Sequence, residues 1–422
     1  MGFLLNKPLL CIALLLPMVL SACDGNLESL LERLSGMPSE AGTTEDTPQT
    51  NDPVPAGPHL YCITNIGHSM VAYSLTGQEV LSGTKRLLEL DPVGPWFIEG
   101  MGYYLSRVAA GGAGANALIE FDPETLAETR RLNFPGNSNP ASMIHLPGTG
   151  LIWVALRGST FDNFATNGLS VVELEGLSQT AFLDLNQPAY HQDGAALTFL
   201  TGFYHDSGCA LGRPCVYGVV NNWRNNVRDS WLLVLEPNGV NLPIVHDFIR
   251  LGKMAQESLL MSGGKLWVVN NGGFSNYSTE SGPGNLMALD PATFADGTPG
   301  NEISATLAIE TACNPPPSPD TGCDPTGLYP VGGMGWLTTY PDQIVREIDL
   351  ATPAVLPHTG SLPELTGPVF STTSPAPGRY AGQGGYGTAR LARLDPVSGA
   401  IIAEHDLTAG EGTITCAEYN RP

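Results

Sequence analysis

Seven times between residues 76 and 395 the chain carries an apolar run into a tight turn and out into another apolar run. The turns are Leu75-Thr76-Gly77, Phe121-Asp122-Pro123, Leu174-Glu175-Gly176, Leu235-Glu236-Pro237, Leu289-Asp290-Pro291, Ile348-Asp349-Leu350 and Leu394-Asp395-Pro396, with centres 46 to 61 residues apart. Asp and Pro suit such a turn physically: Pro presets φ, and the carboxylate accepts from backbone N–H groups two residues on. A further apolar run precedes each turn, at Leu60–Thr64, Tyr103–Ser106, Leu151–Leu156, Val216–Asn221, Leu266–Asn270, Trp336–Tyr340 and Arg379–Gly382. About four short strands per unit at this period mark a β-propeller blade. Each unit brings its own share of core, so 422 residues fit one repeat domain.

The expected fold is an all-β, seven-bladed propeller over residues 59–418, with blades near 59–90, 94–136, 139–185, 196–251, 256–310, 328–365 and 368–410. Blade one lacks an upstream first strand, while 413–418 follows the complete seventh blade and has no blade of its own. Pairing that strand beside Leu60–Thr64 closes the ring. The 50 Gly, 35 Pro and 14% charged residues agree with a turn-dense β protein.

The N-terminus bears on the compartment. Lys7 supplies a positive charge, and Leu9–Leu20 is apolar but short for a membrane span. Residues 1–22 therefore read as a signal peptide. Residues 24–57 are rich in Thr, Pro, Glu, Gly and Asp from Pro38 onward, and are expected to form a mobile tether ending by residue 58. Six Cys remain beyond residue 23, an even number that implies disulfides in an oxidising compartment. Proximity pairs Cys209 with Cys215 and Cys313 with Cys323, which leaves Cys62 for Cys416 at the seam. Zinc is the alternative, without CxxC spacing or a nearby His to support it.

Two resemblances add to this. Leu20-Ser21-Ala22-Cys23 resembles the bacterial lipobox, which implies cleavage before Cys23 and its lipidation. Leu266-Trp267-Val268-Val269-Asn270, followed by Leu286 and Asp290-Pro291-Ala292-Thr293, resembles the blades of the YVTN/YncE-like propeller family. That family implies the fold; its activities are diverse. Propellers similar to it include lactonases, streptogramin lyases and quinoproteins, so an enzyme with its site at the central channel is the alternative to a binding or scaffold role.

Formal charge is −22, from 19 Lys+Arg against 41 Asp+Glu. Such a surface repels phosphate backbones, which excludes nucleic acid and leaves the lipid anchor as the membrane contact. Loops between second and third strands are long in blades three to five, at Arg157–Gly168, Asn222–Ser230 and Asn271–Gly284. They share a face with the blade connections, including Asn186–Ala195, which carries His191 and Asp193. Uneven loops on a rigid scaffold suit binding of a protein, peptide or glycan. Candidate contacts are Trp223, Arg224, Asn225, Asn271, Asn276, Tyr277 and His191. Trp and Arg can stack and amides can hydrogen-bond; the same Asn residues also suit left-handed turn positions.

No cofactor is evident. A divalent cation at His191, Asp193, His205 and Asp206 would need both faces of the ring to meet, and Asp162, Asn163 and Asp229 lack Ca²⁺-loop spacing. No catalytic residue is assigned: the innermost strands offer His145 and little else ionisable, and GxSxG, HExxH and CxxCH do not occur. The Gly-rich runs Gly111–Gly114 and Gly382–Gly387 are expected to be turns.

Overall fold

A computed structural model describes residues 53–64, 68–76, 79–88, 91–107, 116–136, 138–158, 166–222, 229–272, 284–309, 324–331, 333–340, 345–356, 369–372, 378–385, 388–395, 400–409 and 414–421. They form seven four-stranded antiparallel sheets. Blades two to seven run in sequence order over 92–133, 140–184, 200–250, 255–308, 324–355 and 369–409. The first strand of each is innermost. Innermost strands of blades one to five approach their successors in turn, and that of blade seven meets blade one.

Stacking buries both faces of each sheet, so the central strands are continuous apolar runs rather than alternating ones. Leu151–Leu156 and Val216–Val220 are buried throughout. Alternation survives in the destination of each side chain. Trp153 and Ala155 join the core shared with blade four, whereas Ile152, Val154 and Leu156 join the core shared with blade two. Trp153, Trp267 and Trp336 are all but fully buried.

A joint recurs where one blade hands over to the next. Asp91, Asn139, Phe199 and Met254 stand immediately before the innermost strands of blades two to five, and all four are left-handed, with φ of 45°, 46°, 67° and 52°. A non-Gly residue pays on the order of 1–2 kcal/mol for that conformation. In return each directs its carbonyl at an N–H at or just past the end of its own blade's second strand, from Arg107, Arg157, Asn221 and Asn271, at 3.0–3.3 Å. The preceding blade completes the joint with a side chain at the start of its third strand. His68 Nδ1 accepts from the Asp91 N–H (3.1 Å), Asn116 Oδ1 from Asn139 (2.9 Å), Asn167 Oδ1 from Phe199 (3.2 Å) and Ser230 Oγ from Ala255 (2.8 Å). Asn167 also donates through Nδ2 to the Leu197 carbonyl, so both ends of its amide are used.

The ring closes as the leftover strand implies. Gly57–Thr64 pairs antiparallel with Ile414–Arg421, and Cys62 lies directly opposite Cys416, to which it is disulfide-bonded. The closing strand also latches onto blade two: Thr415 Oγ1 donates to the Gly94 carbonyl, and the Tyr419 ring stacks on Phe97 at 4.5 Å. Cys209 is bonded to Cys215 across the turn after blade four's innermost strand. Cys313, Cys323 and Cys23 lie outside the described residues.

Two expectations are corrected. Folded chain begins before residue 59: Val54 is fully buried, and its N–H bonds the Glu124 carbonyl of blade two. Gly382–Gly385 is strand rather than turn, because Gly378–Gly385 pairs with Thr388–Leu394. Among the described residues no helix is long and apolar enough to cross a membrane.

Blade two holds a buried carboxylate that hydropathy does not suggest. Tyr103, Glu120 and Arg130 are direct cross-strand neighbours. Burial pushes the Glu120 carboxyl up, but donors from Arg130, Thr129 and Tyr103 outweigh it and hold it below the usual range. Arg130 also donates to the Glu175 carbonyl (2.7 Å), tying blade two to blade three.

Replacing both Cys62 and Cys416 with Ser should cost about 2–5 kcal/mol of unfolding free energy. Denaturant titration checks this, and a loss within error of zero would mean that strand pairing alone closes the ring. Asn167→Ala should cost about 1–3 kcal/mol, since it strands a buried N–H and a buried carbonyl, while leaving the wild-type blade order intact by circular dichroism.

Candidate functional site

The face with the long loops carries the blade connections, and the structure assigns its described residues distinct duties. Asn222 is a turn residue (φ 53°) whose Oδ1 accepts from the Thr198 N–H at 2.9 Å and whose Nδ2 donates to the Asp229 carbonyl at 2.7 Å. Asn271, a candidate contact residue, is buried; its backbone completes the blade-five joint and its Nδ2 reaches the Pro325 carbonyl of blade six at 3.4 Å. His191 is half-buried in the connection to blade four, where Nε2 donates to the Asn186 carbonyl at 3.0 Å. Trp223, Arg224, Asn225, Asn276 and Tyr277 lie outside the described residues, as do Asp162 and Asn163.

A cleft of about 470 Å³ opens between blades four and five. One wall is the outer strand of blade four, through Asp247, Phe248, Ile249 and Arg250, with Trp231 from the neighbouring strand. The other is the blade-five turn Gly297–Gly300 with Glu302 and Ile303. Its size lies within the range of ligand pockets.

Local chemistry fixes its walls. Trp231 and Arg250 are cross-strand partners, and the guanidinium sits 5.8 Å from the indole centre. Arg250 is further held by Asp229 (2.6 Å) and by Asp193 of the blade-three connection (3.1 Å). Asp247 accepts from the Ala295 N–H of blade five (2.8 Å), which bridges the two walls, and Glu302 accepts from the Gly300 N–H (2.7 Å), which fixes the blade-five turn. The arrangement offers an aromatic surface, apolar walls and fixed charges to a bound group. It assembles no nucleophile–base pair.

Asp193 and Asp229 stand out in sequence as possible cation ligands; the structure commits both to Arg250. Trp231 and Arg250 escape notice in sequence because they lie nineteen residues apart and their pairing depends on the register of a hairpin. Among the described residues no group of three His, Cys, Asp or Glu is arranged to hold a metal.

The opposite end of the innermost strands gathers Glu99, His145 and His205 from blades two, three and four, with His145 Nε2 buried and unpartnered. Burial pushes the His145 ring below its ordinary value, the Glu99 charge opposes this, and His205 adds to it. His145 and His191 therefore stand on opposite faces and do not share a channel point.

No protein-family profile and no curated protein sequence matches the chain. Solved structures do. The periplasmic gluconolactonase of Pseudomonas aeruginosa is similar at 14% identity and a TM-score of 0.58, over 86% of this chain and 99% of that one. A protein from Lactobacillus plantarum is similar at 12% identity and 0.57, over 86% and 100%. A dihydro-heme d1 dehydrogenase in complex with DHE is similar at 11% and 0.50, over 86% and 75%. The likeness is one of fold.

A His held neutral in the folded state lets the unfolded chain bind the proton first, so stability falls as pH drops below the ordinary His value of about 6.5. His145→Gln should therefore lose less stability than wild type between neutral and mildly acidic pH. Parallel denaturant titrations test this; superimposed pH profiles would show that His145 does not contribute.

Proposed function

We propose that the protein is a lipid-anchored, extracytoplasmic binding propeller that holds a protein, peptide or glycan on the side formed by blades three to five. The observation that carries this reading is the cleft between blades four and five, walled by Trp231, Phe248 and Arg250. Aromatic and Arg side chains are the groups most enriched where binding energy concentrates. Trp223, Arg224, Asn225, Asn276 and Tyr277 are the further contact residues of this reading, and they lie outside the described residues.

The lipobox-like Leu20–Cys23 supports a membrane anchor at Cys23, and several acyl chains on one residue give stable attachment. The disulfides fit an oxidising compartment. A YVTN-like propeller as carrier agrees with the blade motif. Catalysis at the channel would draw His145, His191 and carboxylates to one point, and the first two stand on opposite faces.

In intact cells, cross-linking of Trp231→Ala/Arg250→Ala and of Trp223→Ala/Arg224→Ala proteins should lose wild-type partners severalfold in at least one of the two. An unchanged partner pattern in both would sink the binding side. Cys23→Ser should move the protein from the membrane to the soluble fraction; continued sedimentation with membranes would exclude the anchor.

A further inference from the structure

The turn between the third and outermost strands is built differently in blade four. In blades two, three, five and six this turn folds one large apolar side chain back under the sheet: Leu126, Leu177, Phe294 and Leu350 are all buried. Blade four has residues 237–243 here, and it turns its apolar side chains outward. Val240 and Leu242 are each 46% exposed, and Ile244, which opens the outer strand, is 43% exposed. Of the six large hydrophobics exposed among the described residues, these are three. The turn holds its shape without them. The Asn241 N–H and Nδ2 both donate to the Asn238 carbonyl (3.2 and 3.3 Å), and Asn238 Nδ2 donates to the Leu242 carbonyl (3.3 Å).

Charge is absent from this turn. No ionisable residue occurs between Glu236 and His246. Glu236 itself is paired with Arg213 (2.9 Å) and bonded to His246 (2.6 Å). In a chain of formal charge −22, the turn is an uncharged tip whose adjoining carboxylate is compensated. It also shares a face with the point where the chain enters the ring. Gly57–Thr64 is the second strand of blade one and ends at the long-loop face, so Gly57 lies at the opposite one. Val54, just before it, bonds the Glu124 carbonyl in blade two's own turn between third and outermost strands. Cys23 stands 30 residues before the exposed Pro53, a covalent reach of at most about 100 Å.

We propose that the 237–243 turn is a membrane contact: Val240 and Leu242 enter the headgroup boundary of a neutral phospholipid surface, which turns the long-loop face away from the bilayer. A neutral lipid surface fits this tip better than a second copy, whose own charge of −22 would be repelled, and better than anionic lipid for the same reason. A tethered body meets its membrane repeatedly. A contact of two or three apolar side chains, weak for a free protein, therefore suffices to orient it. The proposal rests on the lipid anchor at Cys23 and adds the orientation in which the anchored propeller is held.

The test uses the full-length, lipidated protein reconstituted into phosphatidylcholine vesicles with brominated acyl chains, which quench a nearby indole. Two variants place a Trp at exposed positions: Leu242→Trp on the turn, and Ala189→Trp in the connection to blade four on the long-loop face. With the wild-type signal subtracted, Leu242→Trp should be quenched severalfold more than Ala189→Trp. Adding Val240→Asp to Leu242→Trp should remove most of that difference with unchanged thermal melting. Equal quenching at positions 242 and 189 would show that the turn does not face the bilayer. Quenching at 242 that Val240→Asp leaves unchanged would show proximity without apolar insertion. A blue shift of Leu242→Trp emission that appears without vesicles and grows with protein concentration would assign the turn to a second copy. Each of these three overturns the proposal. Wild-type protein that fails to float with the vesicles removes anchor and contact together, whereas flotation with equal quenching removes the contact alone.

Discussion

Seven sheets can bury both faces only if the ring is complete, and here completion depends on one antiparallel ladder between the two ends of the folded chain. Gly57–Thr64 and Ile414–Arg421 are held in register by backbone hydrogen bonds and by a bond between residues 354 apart in sequence. Without that ladder, blade one would lack its innermost strand and blade two would lose its neighbour at Gly94 and Phe97. The cores between blades one and two, and between seven and one, would then face water. A contact between chain ends carries a large closure entropy, which a covalent cross-link removes from the unfolded state.

Within the closed ring, blades two to five are each positioned on the preceding blade by a joint built largely from backbone. Left-handed Asp91, Asn139, Phe199 and Met254 are otherwise costly, and they persist because the strand ends on both sides fix them. Phe and Met do so with side chains that ordinarily avoid this conformation. The chemistry they serve is the orientation of a carbonyl, which is indifferent to side-chain type. Function then has little freedom in the scaffold and concentrates where blades differ: in loop length and in the cleft beside Arg250.

Much of the fold was legible in the residues. The seven turns and the apolar runs before them marked seven blades, because both faces of every sheet are buried and hydropathy reports burial directly. The Cys62–Cys416 pairing was legible because two leftovers, a strand and a pair of thiols, had one place to go. Glu120 was not legible. A carboxylate inside an apolar strand reads as a solvent-facing position until Tyr103 and Arg130 are seen directly opposite it. The site was less legible still. Asn271 looked like a loop amide open to ligand, yet it is a buried fastening between blades five and six. Trp231 and Arg250 lie nineteen residues apart and meet through register.

The sequence by itself determined the number of blades, the closure of the ring and the identity of the stapling Cys, since periodic burial and an unpaired remainder are properties of a linear chain. Tertiary structure alone decided which polar side chains are spent on the scaffold and which remain for a partner. That division depends on distances between blades, and residues remote in sequence with no shared pattern set those distances.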